Sequence, residues 1–343
     1  MAHDVQGDPR IDPRIKALLA MIPTGDATDV TDRGQLLAEA QSPEGVAVLE
    51  MMRQLAETFD SEEVAPSAGL RVDKVEIESS PDGNTIPLHV VRPDTDATVA
   101  CVYYIHGGGM ASSSCTDGPY RAWARIVAAN GVAVVMVDFR NSISPSSVPE
   151  VAPYPAGLND CLSGFHWTVG HAEELGIDPA RVVIAGESGG GNLTLASGLS
   201  LLRSGDIDRV KGLYALCPYI AGSWPRDDLP SSTDNEGIFI AVGSNRGAVS
   251  YGIEAFEAGD PLAWPLFATV DDVRGLPPVV INVNECDPLR DEGIAFYRLL
   301  LEAGVPARCR QQMGTAHASD LMAIICPDIS RDTARDLAAF ARD

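Results

Sequence analysis

The chain has 343 residues, of which 45% are apolar and 21% are charged, so it is long and apolar enough to bury a substantial core. Lysine and arginine number 25 against 48 aspartates and glutamates, which leaves a formal net charge of −23 at pH 7. This charge repels nucleic-acid phosphates and anionic lipid surfaces, so we expect no nucleic-acid binding and no membrane binding. The composition also excludes a disordered chain and a small disulfide scaffold.

The sequence shows no signal for membrane insertion or secretion. No apolar run approaches the roughly 18 residues that cross a bilayer, and the first residues lack a basic segment followed by an apolar one. We therefore expect a cytoplasmic protein. The seven cysteines form no C-x-x-C pair, so they predict neither a zinc site nor a disulfide framework, and most should be small core residues. They are Cys101, Cys115, Cys161, Cys217, Cys286, Cys309 and Cys326.

Helical periodicity dominates residues 1–70. Apolar residues share one helix face in each of two pieces, which proline, glycine and aspartate separate. These residues are Ile15, Leu18, Leu19 and Ile22 in the first piece, and Val48, Met52, Leu55 and Phe59 in the second. We predict that residues 1–70 form a helical cap segment.

The pattern then changes to β-structure. Val75 and Ile77 alternate with polar residues, a Pro-Asp-Gly-Asn turn follows at residues 81–84, and residues 88–91 are mostly apolar. This order predicts a hairpin that opens the main domain, residues 71–343.

Five continuous apolar runs follow the hairpin, as expected for buried parallel strands. They are residues 100–105, 132–137, 182–185, 213–216 and 279–283. Amphipathic segments with helical spacing lie between the runs, so the sequence predicts an α/β fold with helices on both faces of a mostly parallel sheet. Residues 218–265 break this alternation and are too long for a simple connection, which predicts a cap insertion above the sheet.

A candidate nucleophile lies in the sequence Gly-Glu-Ser-Gly-Gly at residues 186–190, between an apolar run and an amphipathic segment. The G-x-S-x-G pattern at a strand-to-helix turn exposes the serine, because glycines on either side allow a close approach of the backbone. Ser188 would then lie near the positive end of the following helix. A phosphate-binding turn is the alternative, but both glycine-rich phosphate motifs are missing here.

A second glycine cluster, His-Gly-Gly-Gly at residues 106–109, ends the first apolar run. Consecutive glycines after a strand allow backbone N–H groups to point into one space, as an oxyanion hole requires. We predict that the N–H groups of Gly108, Gly109 and Gly189 form this hole. His106 should order the loop rather than carry a proton.

A general base must come from six histidines, which are His3, His89, His106, His166, His171 and His317. His317 follows a short β-like run at residues 307–312 and the breaker Gly314, late in the chain, where the base follows the acid in the order Ser, Asp, His. We predict that His317 is the base.

Four carboxylates compete for the role of the acid after the apolar run 279–283. Asp287 is closest to the expected loop position, and Glu285 is the main rival. Asp291 and Glu292 open the next amphipathic segment, where negative charge suits a helix start. An acid at Asp287 would orient the imidazole of His317 and stabilise its protonated form.

These motifs together resemble the hormone-sensitive-lipase-like family of α/β-hydrolase carboxylesterases. The motifs are residues 106–109, residues 186–192, the sequence Asp-Pro-Leu-Arg-Asp-Glu-Gly at residues 287–293, and the late His317. The resemblance implies an eight-stranded core sheet, a helical cap, no metal or cofactor, and hydrolysis of short-chain esters. It also supports Asp287 over Glu285. The chain departs from many relatives at Gly189, where they carry alanine, and at Ala318-Ser319, where they carry Gly-Phe.

The resulting hypothesis is a serine carboxylesterase that acts on a small-molecule ester through an acyl-enzyme. The alternatives are a catalytically inactive binding protein on the same fold and an amidase or thioesterase. A homodimer is left open.

Tyr219 is a candidate substrate-binding residue, and with Trp224, Phe239 and Trp264 it belongs either to the core or to the pocket. Polar residues at 226–236 favour short acyl chains if this segment covers the pocket, since a lipase lid needs an apolar surface.

Overall fold

The computed structural model of the protein describes residues 4–21 and 28–343. Two residues named above, His3 and Ile22, lie outside these ranges. In the described part, eight strands form one sheet in the order β1-β2-β4-β3-β5-β6-β7-β8. The strands are β1 (Leu70–Glu78), β2 (Thr85–Pro93), β3 (Val99–Ile105), β4 (Ala133–Val137), β5 (Ile177–Glu187), β6 (Gly212–Leu216), β7 (Val279–Asn284) and β8 (Ala307–Gln312).

Helices precede, connect and follow these strands. They are α1 (Pro13–Leu19), α2 (Arg33–Gln41), α3 (Pro43–Glu57), α4 (Gly118–Ala128), α5 (Ala156–Gly170), α6 (Ala172–Leu175), α7 (Gly189–Ser204), α8 (Ser231–Asp234), α9 (Arg246–Tyr251), α10 (Ile253–Glu257), α11 (Val270–Val273), α12 (Arg290–Glu302) and α13 (Pro327–Arg342). None of those in the described residues is long and apolar enough to span a membrane.

The sheet confirms the predicted architecture. β1 pairs with β2, and β2 with β4, in the antiparallel sense, while the remaining neighbours are parallel. Each of the five apolar runs lies, to within a residue, inside one strand, because a strand that helices cover on both faces exposes neither face to water. The prediction of a mostly parallel, eight-stranded sheet with helices on both faces is therefore correct.

Strand β3 shows how the two cores arise. Side chains alternate across a strand, so Val102 and Tyr104 face one layer and Tyr103 and Ile105 face the other. The first layer contains α4 and α13, and the second contains α5, α7 and α12. β3 is accordingly buried on both faces.

The carboxyl ends of the parallel strands lie at one edge of the sheet, where ligands bind in open α/β folds. β3 ends at Ile105, β5 at Glu187 and β7 at Asn284, and the loops that follow carry the predicted site residues. His317 follows β8 at the same edge, so this edge brings together motifs that are more than two hundred residues apart in the chain.

The N-terminal helices contact the insertion above this edge. Asn245, just before α9, accepts a hydrogen bond from the backbone N–H of Val30 at 2.9 Å and donates one to its carbonyl at 2.8 Å. The side chain of Arg246 pairs with Glu39 in α2. Residues 28–41 and 245–246 are thus joined by both backbone and side-chain contacts.

Candidate active site

Ser188 occupies the turn between β5 and α7. Its backbone has φ 55° and ψ −118°, a conformation that costs energy for a residue with a Cβ and that is found at functional turns. The turn is tight, since a Cβ on Gly190 would lie 2.0 Å from the carbonyl oxygen of Ile105. The backbone N–H of Ser188 donates to Leu216 at 2.9 Å and joins the turn to β6.

The structure brings the three predicted triad residues into one hydrogen-bonded chain. Oγ of Ser188 lies 2.9 Å from Nε2 of His317, and Nδ1 of His317 lies 2.8 Å from Oδ2 of Asp287. The other carboxylate oxygen of Asp287 accepts the N–H of Leu289 at 2.9 Å. Both His317 and Asp287 are buried. With Nδ1 donating to the carboxylate, Nε2 of a neutral His317 is free to accept the serine proton.

The pKa of His317 reflects two opposing effects. Burial alone lowers the pKa, because it disfavours the charged imidazolium. The negative charge of Asp287 and its hydrogen bond to the ring, together with the adjacent Cys217, outweigh burial, so the pKa lies well above its usual value of 6.5. The same pair therefore stabilises the imidazolium that forms when His317 takes a proton.

Glu285, the rival for the acid, points elsewhere. Its Oε2 accepts the backbone N–H of Gly314 at 2.7 Å, in the loop between β8 and His317. This contact shapes the loop that carries His317 but does not involve the imidazole ring. The structure thus brings Asp287 to His317 and leaves Glu285 in a supporting position.

The glycine loop after β3 lies against the nucleophile turn. Gly108 and Gly109 have φ values of +88° and +61°, which residues with a Cβ rarely adopt. A Cβ on Gly189 would lie 2.8 Å from the backbone nitrogen of Gly109, so the two predicted donor segments are in contact. The three glycines predicted to form the oxyanion hole are therefore adjacent, and Gly108 and Gly109 line the cavity beside Ser188.

His106 orders this loop, as expected. Its ring is fully buried, stacks on Phe139 with ring centroids 4.2 Å apart, and donates from Nδ1 to the carbonyl oxygen of Gly107 at 3.0 Å. Of the other histidines that the structure describes, His89 lies in β2, and His166 and His171 lie in and just after α5.

A cavity of about 610 Å³ opens above Ser188 and His317. Its wall is largely apolar and comes from the N-terminal helices and from the insertion. The apolar wall includes Leu18, Met52, Leu55, Phe59, Phe239 and Val242. A second cavity of about 330 Å³ shares Gly109 and Tyr219 with the first. Tyr219 therefore lines both cavities beside the glycine loop.

The four aromatic candidates divide evenly between pocket and core. Tyr219 and Phe239 line the larger cavity, whereas Trp224 and Trp264 are buried. Tyr219 stacks on Trp224 with ring centroids 4.5 Å apart and meets Trp264 edge-on at 5.5 Å. The two buried tryptophans thus pack against the ring of Tyr219.

The polar segment 226–236 does not cover the cavity. All of its residues are described, and none lines the wall, which the insertion forms instead with residues 239–242. The expected polar lid is therefore wrong, because this segment packs beside the loop after β7 instead. Ser231 and Asn235 are buried and donate to backbone carbonyls of residues 285, 287 and 288. Arg226 pairs at the surface with the exposed Asp228.

Two carboxylates do more than start a helix. Glu292 is buried and accepts the backbone N–H groups of Ile220 at 2.6 Å and Ala221 at 3.2 Å. It also accepts the indole N–H of Trp224 at 2.6 Å, and burial raises its pKa to about 8 despite these hydrogen bonds. Asp291 accepts the N–H of Ser231 at 2.7 Å. Both residues anchor the insertion, a role that the sequence analysis missed.

A sequence signal for Glu292 did exist. Phe296 and Leu300 follow it at i+4 and i+8 and are buried, so Glu292 lies on the core face of α12. A carboxylate on an apolar helix face needs buried hydrogen-bond donors, and the start of the insertion supplies them.

One group of side chains in the described residues has the donor types of a metal site. The ligand atoms of Cys217, Asp287 and His317 lie within 4.8 Å of one another, and all three residues are buried. Asp287 and His317 use their facing atoms for the hydrogen bond between them, and these are atoms that a metal would need. All seven cysteines are free, and all except Cys309 are buried, as expected for small core residues.

Comparisons with known sequences agree with this geometry. The sequence model of a family described by the alpha/beta hydrolase fold matches residues 102–321. Carboxylesterase NlhH of Mycobacterium tuberculosis is 32% identical over 267 residues, which cover 76% of this chain and 80% of that protein. Ethyl acetate hydrolase of Pseudomonas putida is 29% identical over 243 residues, which cover 69% of this chain and 72% of that protein.

Solved structures show the same relationship over the whole chain. The structure of esterase Est22 superposes with a TM-score of 0.98 and 58% sequence identity, covering 100% of this chain and 99% of that one. Brefeldin A esterase, described as a bacterial homologue of human hormone sensitive lipase, superposes with a TM-score of 0.89 and 36% identity over 98% of this chain and 95% of its own. The family match, the similarity to these esterases and the shared fold confirm the resemblance found in the sequence, and the chain belongs to the α/β-hydrolase family, among its hormone-sensitive-lipase-like carboxylesterases.

Proposed function

We propose that the protein is a serine carboxylesterase that hydrolyses short-chain esters through an acyl-enzyme intermediate. The observation that carries this proposal is the hydrogen-bonded chain from Ser188 through His317 to Asp287, which opens into an apolar cavity. An ester of a small alcohol or phenol suits such a wall, since its apolar parts contact the cavity while its carbonyl faces Ser188.

Acylation begins when Oγ of Ser188 attacks the carbonyl carbon of the ester and passes its proton to Nε2 of His317. Asp287 holds the ring in position and stabilises its positive charge. The tetrahedral intermediate then loses the alcohol, which takes the proton from His317, and the acyl group remains on Ser188.

The oxyanion of the intermediate is stabilised by backbone N–H groups of Gly108, Gly109 and Gly189 in this mechanism. Such donors act strongly because they are already positioned before the charge develops. The contact between the two glycine segments supports this assignment.

Deacylation repeats the same steps with water. His317 removes a proton from the water as its oxygen attacks the acyl carbon, and then returns that proton to Oγ of Ser188 as the acid leaves. The net change is hydrolysis of one ester to one acid and one alcohol, with Ser188 and His317 restored.

We further propose that residues 1–70 and 218–265 act together as a cap over the catalytic domain, residues 71–343. The paired hydrogen bonds between Asn245 and Val30 join the two parts, and both parts supply wall residues to the cavity. Tyr219, at the start of the insertion, would contact the substrate. The homodimer and the cytoplasmic location stay predictions.

The preference for short acyl chains rests on family membership and on relatives such as the protein named ethyl acetate hydrolase.

An inactive binding protein has no support here, because all three triad residues are present and in contact. An amidase or thioesterase would use the same groups, and rates on matched ester, amide and thioester substrates distinguish them.

Replacement of the nucleophile tests the proposal. Ser188→Ala should reduce hydrolysis of p-nitrophenyl butyrate by at least about 10³-fold, because only the serine hydroxyl forms the acyl-enzyme. Ser197→Ala is the matched control, since Ser197 is buried in α7 and its hydroxyl has no hydrogen-bond partner. A Ser188→Ala variant that keeps more than about a tenth of the wild-type rate would reject Ser188 as the nucleophile.

A further inference from the structure

Two tyrosine hydroxyls converge on the residue before the nucleophile. Glu187 is buried, its Oε1 accepts the hydroxyl of Tyr120 at 2.6 Å, and its Oε2 accepts the hydroxyl of Tyr104 at 2.8 Å. Tyr104 belongs to β3 and Tyr120 to α4, so the carboxylate joins two elements to the nucleophile turn. The proposed reaction steps involve none of these three side chains.

Only one of the two tyrosines reaches the glycine loop. The backbone N–H of Gly107 donates to the hydroxyl oxygen of Tyr120 at 3.1 Å, while the proton of that hydroxyl goes to Glu187. Glu187 also packs against the same glycine, since a Cβ on Gly107 would lie 2.2 Å from its Oε1. Tyr120 thus links the residue before Ser188 to the residue before the predicted donors Gly108 and Gly109.

A loop with three consecutive glycines needs such a link. Glycine has the largest conformational freedom of any residue, and oxyanion donors lower the barrier only if they are held in place before the reaction. The hydrogen bond to Tyr120 fixes the first amide of the loop relative to the nucleophile turn. It also occupies the N–H of Gly107, which leaves those of Gly108 and Gly109 for the oxyanion.

We propose that Tyr120 is a positioning residue for the oxyanion hole, which holds the glycine loop in register with Ser188 by bridging Glu187 and Gly107. This inference rests on the proposed esterase function. Tyr104 makes the same kind of bond to Glu187 and has no bond to the loop, so it provides a matched control within the protein.

The experiment compares Tyr120→Phe with Tyr104→Phe in p-nitrophenyl butyrate hydrolysis. Loss of one oxyanion donor costs about 10²–10³-fold in kcat, and loosening donors that remain present should cost less, about 10-fold. We expect this loss in kcat for Tyr120→Phe, with little change in KM because the ring remains. Tyr104→Phe should keep kcat within about threefold, although each variant deprives Glu187 of one donor.

The affinity for a trifluoromethyl ketone is a measurement that a general loss of stability would not change. Oγ of Ser188 adds to its carbonyl carbon and forms a tetrahedral adduct with an oxyanion. The affinity for the ketone therefore reports on the oxyanion hole itself. 2,2,2-Trifluoroacetophenone should bind Tyr120→Phe about 10-fold more weakly than wild type and should bind Tyr104→Phe with little change. Equal kcat and equal inhibitor affinity in the two variants would overturn the inference.

Two further variants keep the outcome decisive. If Tyr120→Phe does not fold, Glu187→Leu tests the same link, because an apolar side chain accepts from neither tyrosine. Weaker ketone binding by this variant would support the link, and unchanged binding would reject it. Ser188→Ala separates this inference from the proposed function. If Ser188→Ala remains active, the proposed function is wrong. If Ser188→Ala is inactive and Tyr120→Phe is unaffected, only the role of Tyr120 is wrong.

Discussion

At the scale of single residues, the site depends on the pairing of one imidazole with one carboxylate. In the proposed mechanism His317 accepts the serine proton only when it is neutral, yet the charge of Asp287 favours its protonated form and raises its pKa. The imidazolium that forms during the reaction is stabilised by the same interaction. As a consequence, His317 stays protonated up to a higher pH than a free histidine does. While it is protonated it cannot accept a proton.

This balance predicts the pH dependence of the reaction. Below the pKa of His317 the enzyme should be inactive, so kcat/KM should rise with pH through one ionisation whose midpoint lies above 6.5. Asp287→Asn removes the charge that raises the pKa, so the midpoint should move to lower pH while the plateau falls by about 10⁴-fold. Pre-steady-state and steady-state rates between pH 5 and 10 would measure both.

Glu285→Gln serves as the control for that experiment, because Glu285 contacts Gly314 and not the imidazole ring. It should leave the midpoint in place and lower the plateau far less. If Glu285→Gln shifted the midpoint and Asp287→Asn did not, the assignment of the acid would be wrong.

At the scale of elements, α3 is unusual because none of its side chains is fully buried. The face predicted from Val48, Met52, Leu55 and Phe59 is amphipathic, but three of these residues line the cavity rather than a closed core. The apolar face of α3 thus remains largely open at the cavity. We therefore expect α3 to contribute more to substrate contact than to folding stability.

Met52→Ala tests this division of roles. Met52 lines the cavity and is half exposed, so its truncation should raise KM for aryl esters about threefold or more. The free energy of unfolding should change by less than about 0.5 kcal/mol, as measured by chemical denaturation. The neighbouring Met51 is also exposed but does not line the cavity, so Met51→Ala should change neither quantity. Equal changes of KM in the two variants would contradict the proposed cap.

At the scale of the whole molecule, a strongly acidic surface encloses an apolar cavity. The net charge of −23 opposes adsorption to anionic lipid surfaces, and the cavity of about 610 Å³ is finite. Both features suit esters that dissolve as single molecules better than esters at an oil interface.

We therefore expect kcat/KM on p-nitrophenyl esters, measured from acetate to palmitate, to be greatest for acyl chains of about two to six carbons. The rate should show no jump when the substrate exceeds its solubility limit, because the charged surface should not adsorb to the aggregates. Neutral and anionic emulsions compared at matched substrate concentrations would separate the contribution of charge. A maximum at long chains or an interfacial jump would indicate a lipase.

Local patterns in the amino-acid sequence were sufficient to locate the sheet and to identify a candidate nucleophile. Strands buried on both faces read as continuous apolar runs, so five of the strands could be located without coordinates. Ser188 could be assigned because its chemistry requires a local arrangement, a glycine-flanked serine between a strand and a helix. His317 followed from its late position and from the limited number of histidines.

Only the tertiary structure showed in which direction the side chains of irregular segments point. Glu285 and Asp287 are two residues apart, and only the path of the loop sends one to Gly314 and the other to His317. Glu292 looked like a helix-start residue until the insertion placed three N–H donors beside it. Loops have no period from which such directions can be read, and these contacts join residues that are far apart in the chain. The proposed acid, the cavity wall and the anchor of the insertion were therefore determined only by folding.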